Sequence, residues 1–154
     1  MSRRDQIKLT PQEIADFLAE EKVANVATIG RTGRPHLVPV WYLPDGSTLS
    51  TWTYESSQKV ANLRRLAQAT VLVEAGTSYE ELRGVSLECD VEIVEDTERI
   101  TAIGSALTER YTGSPEVAAA ASQFVRAQAA KRVGLVFHPT KVVSWDHSKL
   151  GGTY

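Results

Sequence analysis

The chain has 154 residues, a formal net charge of −2, 42% hydrophobic and 23% charged residues, and one cysteine, Cys89. Those values fit one globular domain (residues 1–154) that buries its own core, with no disulfide framework and no overall positive charge to hold nucleic acid. The N-terminus MSRRDQIKLT lacks the apolar segment of a secretory signal, and no apolar run approaches the roughly 20 residues of a membrane helix, so a cytoplasmic protein with no membrane contact is expected.

Residues 1–9 read as a loose basic lead-in. Thr10-Pro11-Gln12-Glu13 is a capping box with proline at the first helical position, and Ile14, Phe17 and Leu18 carry the helix to about Lys22. Strands are predicted over 23–30, 35–43 and 48–53, joined by the short turns Arg31-Thr32-Gly33-Arg34 and Pro44-Asp45-Gly46. Turns that short make the three strands antiparallel neighbours, because parallel pairing needs a long crossover. Residues 56–67 read as a helix capped by Ser56 or Ser57, with Val60, Leu63 and Ala67 on its apolar face. A strand follows over 70–75. Over 85–93, Val85, Leu87, Cys89, Val91 and Ile93 alternate with polar residues, the mark of a long antiparallel strand with one wet face. Helices open at Asp96 and at Ser114-Pro115-Glu116. Two closing strands, 133–137 and 141–145, meet at His138-Pro139-Thr140, and the tail 148–154 reads as irregular or pinned. Six or seven antiparallel strands with short helices between them favour a mainly β fold, a closed or nearly closed barrel with helices at its rim.

The dinucleotide fingerprint, the phosphate loop and the nucleophile elbow are all missing, and His36, His138 and His147 lack the spacing of a metal site. No metal is expected, and Cys89 reads as a small buried hydrophobe. Four positive features remain. Lys59 lies in the first turn of the 56–67 helix, four residues before Leu63 and bordered by Asn62, where free N–H groups and the helix dipole favour an anion. Ser56, Ser57 and Lys59 make either a phosphate cradle or a plain cap with a solvated lysine. Pro39 interrupts a strand, so it marks an edge, a bulge, or a place where a flat ring meets the backbone. Trp41, Tyr42, Trp52 and Tyr54 flank one hairpin, as pocket wall or as core and interface. Trp145, Lys149 and Gly151-Gly152 close the chain, in disorder or in close approach to something else.

The order of these features resembles the pyridoxamine-phosphate-oxidase-like, FMN-binding split β-barrel superfamily. The matching stretches are VANVATIGRTGRPHLVPVWYLPDG, TLSTWTYESSQKVANLRRLAQATVLVE with its S-x-K-x-x-N-L-R, and WDHSKLGGTY. PHLVPVWY and WDHSKLGG resemble the actinobacterial branch that binds the deazaflavin coenzyme F420. The resemblance implies a six- to seven-stranded antiparallel split β-barrel that forms a homodimer with two sites at the subunit interface. It places the cofactor ring along Val38, Pro39, Val40 and Trp41, the phosphate at Thr51, Thr53, Ser57, Lys59 and Asn62, and Trp145 and Lys149 in the partner's pocket. The function it implies is hydride transfer from reduced F420 to an unsaturated small molecule, with no obligatory catalytic side chain. A proton then comes from water, Tyr54, Tyr79 or His147. FMN in place of F420, and a non-catalytic carrier of either cofactor, are the competing readings. The chain lacks the arginine-rich ending of true pyridoxamine-phosphate oxidases, which argues against vitamin B6 oxidation, and the long N-terminal extension of the nitroreductase-like branch.

Overall fold

Alternating burial drives the architecture of the computed structural model, which describes residues 2–152. Met1, Thr153 and Tyr154, the extremes of the expected lead-in and tail, lie outside the described residues. Seven strands carry the core: β1 (Ala24–Ile29), β2 (Pro35–Val40), β3 (Leu43–Asp45), β4 (Thr48–Tyr54), β5 (Gln68–Ala75), β6 (Arg83–Val94) and β7 (Arg132–Asp146). Every pairing is antiparallel, in the order β2-β1-β5-β6-β7-β4-β3. Val26, Leu49, Val71, Val73, Val85, Leu87, Leu135 and Phe137 all point to one face and are essentially fully buried. Each such side chain contributes about 1.5–3 kcal/mol by leaving water.

The topology dictates closure. β2 and β3 sit at opposite edges of the sheet, yet only Trp41 and Tyr42 join them. A two-residue connection spans at most about 10 Å, so the sheet must curl until its edges nearly meet. This is a split barrel. Side-chain hydrogen bonds hold the crossing. The Thr51 hydroxyl donates to the Trp41 carbonyl (2.6 Å). The Tyr42 amide donates to the Tyr111 hydroxyl (2.9 Å), which in turn donates to the Lys22 carbonyl (2.6 Å). The Tyr42 ring is fully buried, with its hydroxyl 2.7 Å and 2.9 Å from the Leu18 and Glu21 carbonyls.

The crossing corrects the strand expected over 35–43. Its first part pairs with β1, and its last residues pair with β4 as β3. The three strands expected as mutual neighbours are therefore split between the two edges of the sheet. The closing strands are likewise one strand, β7. The His138-Pro139-Thr140 segment is a register shift opposite Glu88 and Cys89 rather than a turn. The Thr140 hydroxyl donates to the Glu88 carbonyl there (3.1 Å). Such a bulge bends both strands and lets them serve both halves of a barrel.

Helices cover the rim: α1 (Arg3–Gln6), α2 (Pro11–Glu20), α3 (Gln58–Arg65), α4 (Thr97–Thr112), α5 (Pro115–Ala120) and α6 (Ser122–Ala129). The capping box at Thr10 and Glu13 forms as expected. The single helix expected from Ser114 is two, broken at Ala121. The lead-in is not loose, since Ser2 and Asp5 make their own capping box, the Asp146 amide donates to the Ile7 carbonyl (2.8 Å) and the Leu9 amide donates to the Ser144 hydroxyl (3.1 Å). His147–Leu150 forms a short 3-10 turn. No helix among the described residues is long and apolar enough to cross a membrane.

Candidate functional site

Helix α3 is anchored from below by Val60 and Leu63, both fully buried. Asn62, also fully buried, locks it to the sheet. Its amide donates to the Thr28 hydroxyl (3.0 Å) and its carbonyl accepts from Gln58 (2.9 Å). The anchored helix then presents its N-terminus. Ser57 occupies the cap position without capping, and its buried hydroxyl has no hydrogen-bond partner. A buried, unsatisfied hydroxyl costs free energy unless something else satisfies it. Lys59 follows in the first turn. Burial, and secondarily the charge of Arg132, lower its pKa below that of an ordinary lysine.

Lys59 reaches an open cleft of about 330 Å³, lined with it by Pro39, Val40, Trp41, Thr51, Trp52, Thr53, Gly104, Leu107 and Thr108. The edge strand β2 forms one wall and α4 the other. Trp41 is 58% exposed, and its indole stacks flat on Tyr111 of α4, 4.3 Å between centroids at 7°. That stack ties the strand crossing to the helix. At Gly104 a Cβ would fall 2.4 Å from the Trp52 ring, so the absence of a side chain lets α4 close on the floor of the cleft. No carboxylate lines the cleft.

Of the residues singled out from the sequence, Pro39, Val40, Trp41, Thr51, Thr53 and Lys59 come together in this cleft, and Ser57 is the cap of α3, two residues before Lys59. Val38 is half-buried opposite Val26. Asn62 lies beneath α3 with its amide occupied, away from the cleft lining. Trp145 and Lys149 are elsewhere in their own chain. Trp145 pairs opposite Gly84, eleven residues along β7 from the Gly134 that faces Trp52, about 35 Å of strand path. Lys149 binds Glu13 (2.7 Å) and the Lys8 carbonyl (2.9 Å). The Tyr79 and His147 rings stand together, 4.4 Å apart, near that distant end. Tyr54 is exposed and carries Arg132 over its ring.

Sequence reasoning missed the α4 wall (Gly104, Leu107, Thr108, Tyr111) and Arg132. The signal at Gly104 was a glycine in a helix interior, where it is costly unless close packing requires it.

A family model described as pyridoxamine 5'-phosphate oxidase matches residues 10–146. A search of curated proteins returns no match. Among solved structures, a Mycobacterium tuberculosis protein described as conserved hypothetical protein Rv2991 is 38% identical, with a TM-score of 0.89 over 100% of this chain and 95% of that one. An F420 reductase is 24% identical (TM-score 0.67, 86% of this chain and 98% of that one). HutZ, a heme storage protein from Vibrio cholerae, is 16% identical (TM-score 0.66, 89% and 96%). The last two share the fold alone.

Proposed function

Since the chain belongs to the pyridoxamine 5'-phosphate oxidase family, we propose that it is an oxidoreductase that holds coenzyme F420 in the cleft between β2 and α4 and reduces an unsaturated small molecule. The observation that carries this reading is a lysine with no ion-pair or hydrogen-bond partner among the described residues, beside an orphaned serine hydroxyl, at the mouth of a cleft walled by an edge strand. Those donors suit a phosphate, and the β2 backbone suits a flat polar ring. Bound there, the reduced coenzyme supplies the hydride.

The chain's own part is binding, orientation and exclusion of water. Ser57 and Lys59 hold the phosphate. Pro39 removes one backbone donor from β2, so the flanking backbone groups are what remains for the ring. Trp41, stacked on Tyr111, and Leu107 give the apolar wall against which a conjugated acceptor lies. A second copy of the chain closes the open side, with Trp145 and Lys149 of the partner subunit. No side chain in the cleft is required as acid or base.

The test is a fluorescence titration of the purified protein with F420 and with FMN. F420 binds in the micromolar range or tighter, with a steeper salt dependence than FMN because of its poly-anionic tail. If neither binds below about millimolar, the reading is wrong. FMN binding alone transfers it to the flavin. Tight binding with no hydride transfer to any conjugated acceptor makes the protein a carrier. Sizing in solution tests the shared site, and a monomer that binds fully refutes it.

A further inference from the structure

Arg132 opens β7 and pairs in register with Tyr54. Directly opposed residues share a face of the sheet, and so do residues two apart on one strand. Arg132, Tyr54 and Trp52 are therefore on one face, and Trp52 lines the cleft. The guanidinium carbon lies 4.1 Å from the Tyr54 ring centroid and 4.5 Å from that of Trp52. Two aromatic rings hold the guanidinium and strip part of its water.

Its hydrogen bonding is the anomaly. The buried Nε of Arg132 has no partner. No carboxylate pairs with it among the described residues, whereas Arg64, Arg83, Arg99 and Arg126 each meet a glutamate. Arg110, whose Nε is likewise buried without a partner, still places its Nη2 on the carbonyls of Leu18, Ala19 and Glu21. Lys59 is equally unpaired, and it is near enough to feel the Arg132 charge. Two cations sharing a half-buried place with no counter-ion repel each other. Packing alone gives no reason for that arrangement, because a neutral side chain would cover Trp52 and Tyr54 without the repulsion. An anion between them does.

We propose that Arg132 is the second cation of the oxyanion site: with Lys59 and the Ser57 hydroxyl it takes a phosphoryl group, and Trp52 and Tyr54 position it. The assignment rests on the cofactor reading for the identity of the phosphate's carrier. A guanidinium suits the task because it offers two parallel N–H groups to two phosphate oxygens, which a second lysine does not.

The experiment compares wild type with Arg132→Gln and Arg132→Lys, using FMN against riboflavin and F420 against its phosphate-free deazariboflavin. The expected result is a 10- to 100-fold loss of affinity for each phosphate-bearing ligand in Arg132→Gln. The phosphate-free pair shifts by less than twofold, and Arg132→Lys falls between. An equal loss for both members of a pair overturns the proposal, because Arg132 then only shapes the pocket. So does an unchanged affinity for FMN and F420. A second arm needs no cofactor. Inorganic phosphate, at an ionic strength matched with chloride, should raise the melting temperature of wild type and not of Arg132→Gln. If wild type binds no flavin or deazaflavin yet phosphate stabilises it through Arg132, the cofactor reading fails and the oxyanion site stands. If phosphate stabilises both proteins alike, or neither, the oxyanion site fails.

Discussion

Substituting Gly104 with alanine sets two effects against each other. Gly104 lies inside α4, where alanine favours the helix by about 1 kcal/mol. The added methyl would sit 2.4, 2.6 and 2.7 Å from Cζ3, Cη2 and Cε3 of Trp52. Carbon atoms rest at about 3.5–4.0 Å, so the ring or the helix must move by about 1 Å. Trp52 cannot swing away freely, because the Arg132 guanidinium lies against its ring. Overpacking of this kind costs about 1–3 kcal/mol. The net expectation is a loss of about 0–2 kcal/mol, read in urea as a lower midpoint with an unchanged slope. The functional effect should be larger, because Trp52 is a wall of the cleft, and affinity for FMN and F420 should fall at least about tenfold. Pairing the change with Trp52→Phe, which removes the colliding ring edge, should recover much of both losses, as coupling between neighbours requires. A Gly104→Ala protein that is about 1 kcal/mol more stable than wild type, with unchanged affinity, would refute the reasoning. Trp52 would then not be held against α4.

Lys59→Met should stabilise the free protein at neutral pH while weakening phosphate-bearing ligands. Burial and the Arg132 charge lower the native lysine's pKa below the ordinary 10.5, so between the two values the unfolded chain binds more protons and wild-type stability rises with pH. The variant's advantage should therefore be full near pH 7 and shrink toward pH 10.5 in urea melts, and a variant less stable than wild type at pH 7 would contradict this. Tyr42→Phe should cost about 0.5–1.5 kcal/mol, since it removes the hydroxyl's hydrogen bonds to the Leu18 and Glu21 carbonyls while Arg110 still donates to both, and ligand affinity should be unaltered at temperatures where the variant is folded. Burial pushes the Cys89 thiol up to about 12, so a disulfide reagent at pH 8 should label it only as fast as the chain opens; rapid labelling of the folded protein would show it exposed.

The legible parts of the fold were those with local periodicity. Val85 to Ile93 alternates without interruption and is the heart of β6. Lys59 and Leu63, one turn apart on a short segment opened by serines, placed the anion-favouring end of α3. The break at Trp41 and Tyr42 was hidden for a physical reason. The stretch is apolar from Leu37 to Pro44, and a strand that changes partners at the seam of a barrel keeps the same composition on both sides of the change. Only the register shows that Val40 pairs with β1 while Leu43 pairs with β4. His138-Pro139-Thr140 misled in the opposite sense. A proline normally ends a strand, but here its missing N–H falls at a bulge, where the ladder is already broken. Arg132 gave no local signal and the glycine inside α4 signalled only close packing, because each acquires its surroundings from residues some 50 to 80 positions away in the chain.

The same closure that hid those residues also makes the cleft. A seven-stranded sheet whose edge strands are joined by two residues must expose one of those residues and bury the other, since neighbours along an extended chain point to opposite sides. Tyr42 takes the buried side and fills the core, with its hydroxyl on the end of α2. Trp41 is left outward and finds Tyr111 on α4. β2 ends there as an edge strand, with Pro39 lacking a ladder donor, and α3 begins beside it with Ser57 unsatisfied and Lys59 unpaired. Edge backbone and aromatic wall are thus two consequences of one topological step, and the unpaired cation of α3 lies beside them. A barrel closed by hydrogen bonds between β2 and β3 would lack that edge, because pairing the edges would consume the backbone groups and leave no seam for a ring to enter.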